Sequence, residues 1–155
     1  MGFLMRIVFF LFFLISFLYP EQYTFLVKKY DKEIELEAKI IDTIAMSLMD
    51  SKTKLYIPQI TEVERLIYSK IFQLEKTCTT ANFIFVKNNI DSEDLCRNSN
   101  KIYFTNNYQK LLVHEEYLGA FFWSKSRPNI VFIKNRLSQR NIVLSKEYSQ
   151  FIEDL

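Results

Sequence analysis

The chain has 155 residues, which is the size of a single domain, and its composition excludes several classes of protein. Apolar residues make up 49% of it and aromatic residues 16%, so it has ample material for a core and is not a disordered chain. The formal net charge of +2 is too small for a nucleic-acid-binding protein, whose affinity rests on neutralising phosphates. The sequence therefore predicts one compact domain that does not bind nucleic acid.

The N-terminus carries an apolar run over residues 7–19, interrupted only by Ser16, with Arg6 before it and Pro20 after it. A charged start, a short apolar run and a polar exit are typical of a secretory signal, and the run is shorter than the ~20 residues of a membrane span. The residues before the exit are bulky rather than small, which keeps an uncleaved N-terminal anchor as the alternative. We predict a signal peptide or uncleaved anchor over residues 1–20 and a single α/β periplasmic domain over residues 21–155.

The first half of the body predicts two amphipathic helices with a short strand between them. Apolar residues recur at three- and four-residue spacing over residues 31–50, which indicates a helix with one buried stripe. Thr61 and Glu64 have the spacing of a capping box, and the apolar pattern after them predicts a second helix reaching Leu74. Residues 55–57 form the strand.

The second half alternates strands and helices. The pattern predicts strands at 83–86 and 102–105, a single helical turn at 91–96, a helix at 108–113, a turn of helix at 135–140 and a last helix from Ser145, in which Tyr148, Phe151, Ile152 and Leu155 face inward. This alternation is typical of crossover units. The predicted fold class is α/β, with a small, mostly parallel sheet, flanking helices, a C-terminal antiparallel hairpin and a terminal helix.

The predicted hairpin joins two apolar runs, residues 117–123 and 130–133, which are separated by a polar turn containing Arg127, Pro128 and Asn129. Gly119 lies inside the first run, where glycine weakens a strand. We therefore expect Gly119 to mark a bulge or a close backbone approach, with a positive φ that a side chain would not tolerate.

The two cysteines, Cys78 and Cys96, flank the strand at residues 83–86. Because an exported chain matures in an oxidising compartment, we expect them to form one intramolecular disulfide. Free cysteines are the alternative.

Residue patterns that carry catalytic chemistry are missing from the sequence. His114 is the only histidine, and its surroundings are not the two-histidine zinc motif, so a surface or capping role is expected for it. With two glycines the chain has neither a phosphate-binding loop nor a nucleotide fingerprint. We predict no catalytic residues, no metal site, no cofactor and no enzymatic activity.

A candidate protein-contact patch lies at the predicted turn. It consists of Trp123, Lys125 and Arg127 with Tyr117, because aromatic residues and arginine most often dominate interface energy. The alternative is that Trp123 belongs to the core. The basic residues Lys134, Arg136 and Arg140 are expected to form the solvated face of a short helix.

The order of these features resembles the YfiR/HmsC-like periplasmic proteins. The resemblance rests on the cysteine that leads into an apolar strand (residues 78–86), the strand at 101–105, the glycine-containing strand at 118–122, and the strand, amphipathic segment and helix from Asn129 to Leu155. It covers most of the exported body as a pattern.

The resemblance implies a small periplasmic α/β regulator that binds the outward-facing domain of an inner-membrane signalling protein, often a cyclic-di-GMP synthase, and holds it off. Its membrane contact would be limited to the signal or anchor segment, and pairing with a second copy is left open. The alternative function is a small periplasmic solute-binding protein that uses the cleft beyond the carboxyl ends of the parallel strands.

The predicted disulfide can be tested by alkylating the exported protein without reduction. If Cys78 and Cys96 are joined, no thiol should react, and the closed loop should contribute ~3 kcal/mol to stability. Two reactive thiols in the exported protein would refute the bond.

Overall fold

The computed structural model describes residues 20–87 and 100–154. Four α-helices and one 3-10 helix accompany seven strands within these ranges. The helices are α1 (Pro20–Leu48), α2 (Glu62–Tyr68), α3 (Tyr108–Val113), α4 (Lys134–Gln139) and the 3-10 helix (Lys146–Phe151). The strands are β1 (Lys54–Tyr56), β2 (Gln73–Leu74), β3 (Phe83–Val86), β4 (Ile102–Thr105), β5 (Tyr117–Ser124), β6 (Arg127–Ile133) and β7 (Ile152–Glu153).

The strands form one sheet in the order β2-β1-β3-β4-β5-β6-β7. The first five in that order are mutually parallel, β6 pairs antiparallel with β5, and β7 runs parallel to β6. The predicted α/β class, with a mostly parallel sheet and an antiparallel hairpin, is confirmed. Because the chain passes from β1 outward to β2 and then back to β3, the order reverses between β1 and β3.

Helix α1 carries the predicted buried stripe, but it begins at Pro20 rather than at residue 31. Proline suits the first position of a helix, where its missing N–H would have no partner in any case. The stripe is buried against the sheet and consists of Ile34, Ala38, Ile41, Ile44, Ala45 and Leu48.

Helix α2 begins with the predicted capping box. The hydroxyl of Thr61 accepts from the backbone N–H of Glu64 at 3.3 Å, and the Glu64 carboxylate accepts from the backbone N–H of Thr61 at 2.9 Å. The helix is shorter than expected: it ends at Tyr68, and Leu74 lies in β2.

The sheet has a buried cluster on each face. Helices α1 and α2, α4 and the segment after it cover one face, over Leu55, Phe83, Phe85, Phe104, Leu118, Phe121 and Phe132. Helix α3 contributes Leu111 to the other face, with Ile84, Val86, Tyr103, Tyr117, Ala120, Val131 and Ile133. All residues of β3 and β4 are buried, as their unbroken apolar runs predict.

Gly119 is a position of close approach, as expected, but its φ is not positive. The β4–β5 register shifts between Tyr103 and Phe104, where Tyr103 pairs with Tyr117 and Phe104 pairs with Gly119. A Cβ on Gly119 would collide with the Val131 carbonyl oxygen and lie 2.5 Å from the Phe104 ring. The requirement for glycine is therefore steric, and the expected conformational reason is wrong.

The space above Gly119 allows aromatic rings to form a continuous row across the sheet. Phe104 lies with its ring centroid 6.2 Å from Phe83 and 5.6 Å from Phe132. Phe132 in turn contacts Tyr148 edge-on at 5.8 Å, and Tyr148 lies 6.3 Å from Phe151. The row connects β3 to the C-terminal segment and passes over β5 at the glycine.

The predicted terminal helix is present as the 3-10 helix, with Ser145 at its N-cap. Tyr148, Phe151 and Ile152 contact the first cluster, as expected. Ile152, however, lies in β7 rather than in the helix. Leu155, the last residue expected to face inward, lies outside the described residues, as does the helical turn expected at 91–96.

We expect Gly119→Ala to lower the free energy of unfolding by about 1–3 kcal/mol, because the added methyl group overpacks a rigid site. Urea denaturation measures the loss. The control is Ser124→Ala, an exposed position of the same strand, which should change the midpoint little. Equal midpoints for Gly119→Ala and Ser124→Ala would show that the ring does not occupy this space.

Candidate functional site

The β5–β6 hairpin extends beyond the rest of the sheet. Strand β4 pairs with β5 only as far as Ala120, and β7 pairs with β6 only at Phe132 and Ile133. Four further residue pairs, from Phe121↔Ile130 to Ser124↔Arg127, continue the hairpin past these neighbours; the first two still pack on the core through Phe121, Phe122 and Ile130, and the last two form an exposed projection. We call residues 121–130 the hairpin arm.

The arm ends in a two-residue turn at Lys125 and Ser126, both of which have positive φ values, 50° and 60°. Such turns match the twist of a hairpin, but they favour asparagine and glycine, because other residues are strained in this region. The turn lies within the predicted polar break, but residues 127–129, which it was expected to contain, belong to β6. Pro128 is tolerated there because it lies beyond the β6–β7 pairing, on an open strand edge.

The two faces of the arm differ in character. Side chains of directly paired residues point to the same side of a hairpin. Trp123 and its partner Pro128 therefore lie on the face that Phe121 occupies, where the Trp123 ring contacts Phe121 edge-on at 5.8 Å. Arg127 lies on the opposite face.

The predicted contact residues are only partly brought together. Trp123, Lys125 and Arg127 all lie at the exposed end of the arm, and Trp123 is 39% exposed, so it is not a core residue. Trp123 and Arg127 lie on opposite faces, so a partner that contacts both must pack against both faces at the end of the arm. Tyr117 is fully buried at the other end of β5 and is not part of this surface.

The end of the arm is positively charged. Lys125 and Arg127 are exposed, and no carboxylate in residues 20–87 or 100–154 forms an ion pair with either. The side-chain amide of Asn129 donates to the backbone carbonyl of Arg127 at 3.0 Å and does not engage the guanidinium. The arm thus presents a cationic tip beside a half-exposed tryptophan.

The other basic residues have structural roles that sequence reasoning missed. The buried Arg136 donates through Nη1 to the carbonyls of Leu111, His114 and Tyr117 at 2.8–3.0 Å, so it is not on a solvated helix face. Burial lowers the pKa of Arg136 from its ordinary value. Arg140 donates to the Lys101 carbonyl at 2.6 Å, whereas Lys134 is exposed.

Lys101 is buried and surrounded by backbone carbonyls. Its Nζ donates to the carbonyls of Cys78, Thr79 (2.9 Å) and Ala81 (3.0 Å), which fixes the segment before β3. No spacing rule predicts that a lysine next to a strand will turn inward; the only available signal is its position directly before an apolar run.

A buried ion network lies at the carboxyl end of β3. The Nζ atom of Lys87 is 2.6 Å from Glu37 of α1 and 2.5 Å from Glu64 of α2. The Tyr68 hydroxyl donates to the same Glu37 oxygen at 2.7 Å. The network joins both helices to the sheet next to the point where the strand order reverses, the usual ligand position in such sheets.

The pKa values follow from this geometry. Burial acts to raise the pKa of Glu64, but hydrogen bonds from Lys87 and Thr61 outweigh it and leave that pKa below its ordinary value. Burial also opposes the charge of Lys87, yet the neighbouring Glu37 and Glu64 raise its pKa overall. The pKa of Tyr68 is raised, first by burial and then by the charge of Glu37.

A polar cleft of about 470 Å³ remains at the carboxyl ends of β1 and β2. Its lining includes Tyr56 and the charged residues Glu62, Arg65, Glu75 and Lys76. Two carboxylates and two cations give it no net charge. The ion network at the end of β3 does not fill this part of the carboxyl edge.

An apolar groove of about 480 Å³ lies between α1 and α2. Val63 and Leu66 line it and are 43% and 66% exposed. At its rim Glu35 and Lys39 pair with each other at 2.7 Å, so the rim offers no unbalanced charge to a partner.

The remaining candidate residues show no catalytic arrangement within the described ranges. His114 ends α3, and its Nδ1 lies 3.7 Å from the Glu116 carboxylate. The described residues hold no group of three side chains suited to a metal ion, and no described helix is long and apolar enough to cross a membrane. Cys78 is disulfide-bonded; Cys96, its predicted partner, lies outside the described residues.

Comparison of the chain with protein-family models, curated proteins and solved structures finds no match. The arm and the carboxyl edge of the sheet are therefore the features that bear on the function.

We expect Lys87→Met to destabilise the fold by about 3–5 kcal/mol at pH 7, because it leaves two buried carboxylates without their cation. In the parent, the lowered pKa of Glu64 stabilises the fold above the ordinary carboxyl range, and this contribution is lost as the pH falls through that range. In the variant, Glu64 keeps its hydrogen bonds to Thr61 but loses those of Lys87, so its pKa moves up from the lowered value and the unfolding free energy should fall less than that of the parent from pH 7 to pH 5.

Urea denaturation at both pH values measures these changes. Lys39→Met is the matched control, since Lys39 pairs with Glu35 at the surface, and its midpoint should follow the parent at both pH values. If the two variants lose the same stability, the ion network does not hold the helices to the sheet.

Proposed function

We propose that the protein is an exported, non-enzymatic regulatory or accessory subunit that acts by protein–protein contact through the hairpin arm. Its partner is the periplasmic domain of an inner-membrane signalling protein, for example a cyclic-di-GMP synthase. The observation that carries the proposal is the arm itself: it holds Trp123 half-exposed next to Lys125 and Arg127, neither of which forms an ion pair with a described residue. The resemblance to the YfiR/HmsC-like proteins supports the choice of partner.

The chemistry of the arm suits binding rather than catalysis. Tryptophan and arginine are the residues that most often dominate interface energy, and each projects here from a two-stranded ribbon. A regulator without reactive groups must bind one state of its partner more tightly than the other, because equal affinity shifts no equilibrium. The projection of the arm allows it to enter a recess that only one state of the partner offers.

The alternative function is solute binding, and the cleft at the carboxyl ends of β1 and β2 favours it. Its opposed charges, Arg65 and Lys76 against Glu62 and Glu75, suit a small zwitterionic molecule. The ion network around Lys87 argues against the alternative, because it fills the neighbouring position where such sheets usually bind their ligands.

The proposal predicts that deleting the protein changes the output of a membrane signalling enzyme and that Trp123→Ala with Arg127→Ala reproduces the deletion. Both side chains are at least partly exposed, so the double variant should remain folded and exported. The measurement is the cellular level of the enzyme's product, with circular dichroism and periplasmic fractionation as checks on folding and export.

The matched control is Val143→Ala with Lys146→Ala, an exposed apolar and basic pair away from the arm, which should behave like the parent. A folded Trp123/Arg127 variant with full regulatory activity would contradict the proposal. A small molecule that copurifies with the protein and is lost on Arg65→Ala would favour solute binding instead.

A further inference from the structure

We infer that the arm recruits its partner by adding an acidic, extended segment of that partner as a strand along the outer edge of β6. This inference rests on the proposed function and names its mode of contact. Extended segments are commonly recognised at open sheet edges, where main-chain hydrogen bonds supply affinity and side chains supply specificity.

The outer edge of β6 is open along the arm. Strand β7 pairs with β6 at Phe132 and Ile133, and no other described strand pairs on that side from Arg127 to Val131. The chain preceding β7 is the 3-10 helix, which contacts β6 and packs on Phe132 through Tyr148, but none of its backbone groups bonds to Ile130. An added strand would therefore lie along β6 between the 3-10 helix and the tip of the arm.

The register identifies the groups that face this edge. Ser124 and Arg127 close the two-residue turn, so their pair exchanges hydrogen bonds, and alternate residues of β6 then direct their backbone groups away from β5. Those residues are Pro128, Ile130 and Phe132. Since β7 pairs at Phe132, the open groups are the N–H and C=O of Ile130 and the C=O of Pro128, and no described backbone group bonds to them.

The charge of the arm specifies an acidic occupant. Lys125 and Arg127 lie at the tip end of the open edge and pair with no described carboxylate. The nearby acidic residues of β7 and its end are already engaged: Glu153 accepts from the Tyr108 hydroxyl at 3.2 Å, and Asp154 pairs with Lys134 at 3.1 Å. Opposite charge across an interface fixes register and speeds encounter.

A second copy of the chain cannot pair along this edge in the register centred on Ile130. Antiparallel pairing of two arms centred on Ile130 would bring Arg127 of each copy beside Ile133 of the other. Strand β7 already occupies the edge at Ile133, so the tip of the second arm would collide with it. A single extended peptide that ends before Phe132 meets no such obstacle.

The test uses defined peptides of about ten residues, the length of a long strand, with alternating valine and glutamate. A valine–lysine peptide of the same length tests charge, and a valine–glutamate peptide with an N-methylated central valine tests the main-chain bonds. Trp123 is the only tryptophan in the chain, so its fluorescence reports binding at the arm directly. Hydrogen exchange at the Ile130 amide reports strand addition.

We expect the acidic peptide to bind at least about tenfold more tightly than either comparison peptide and to slow exchange at Ile130. Lys125→Glu with Arg127→Glu should weaken binding by about tenfold or more. The matched reversal of exposed lysines elsewhere, Lys32→Glu with Lys52→Glu, should leave the affinity within about twofold, since distant surface charges are screened.

Three results would overturn the inference: equal affinity for acidic and basic peptides, binding without slower exchange at Ile130, or a protected Ile130 amide in a peptide-free dimer, which would assign the edge to a second copy. The two proposals fail separately. If no peptide adds to the edge while the Trp123/Arg127 variant still reproduces the deletion, the regulatory function stands and strand addition falls. If peptides bind as expected but that variant regulates normally, strand addition stands and the regulatory function of the arm falls.

Discussion

The contact between the Phe104 ring and the backbone at Gly119 is the constraint on which the rest of the sheet depends. With no side chain at Gly119, the ring lies against β5 and reaches Phe132 on the strand beyond it. The aromatic row can then extend from Phe83 to the C-terminal residues Tyr148 and Phe151. The shift of register between β4 and β5 occurs at the same place, so one glycine sets both the packing and the alignment of the hairpin.

The elements that the sequence predicts best are those whose residues are decided locally. The strands β3 and β4 and helix α3 have the predicted bounds, because their apolar runs and polar flanks leave little choice. The capping box of α2 is equally local, since Thr61 and Glu64 satisfy each other's backbone groups. Predictions of this kind need no knowledge of the tertiary structure.

The predictions that failed depend on contacts between distant segments. The turn was expected to contain Arg127, Pro128 and Asn129, whereas the pairing of β5 with β6 confines it to Lys125 and Ser126. Likewise, Leu74 fits the apolar pattern of α2, but pairing with β1 draws it into β2. In both places, tertiary pairing overrides a local preference.

Buried cations are the feature least visible in the sequence. Lys87 lies between two carboxylates, while Lys101 and Arg136 each donate to three backbone carbonyls. These cations fix the places where strands meet loops and helices, positions that a hydrophobic pattern treats as solvent-exposed. The nearly balanced net charge therefore conceals a division between cations that hold the fold together and cations that remain free for contact.

Lys125 and Arg127 of the arm belong to the second group. At the turn, the residue types that would be most stable are not the ones that carry a positive charge. Asparagine and glycine would adopt the positive φ values at lower cost, whereas each non-glycine residue there costs roughly 1–2 kcal/mol. Lys125 adopts a positive φ despite this cost and places a cation at the end of the arm, beside the half-exposed Trp123. Strain in a native backbone supports a functional hypothesis when the strained residue offers something that the relaxed one would not. At Lys125 the strained residue offers a positive charge, which a glycine would not. The carboxyl end of β3 is filled and the charges around the helix groove are balanced, so the arm is the surface that favours a binding function.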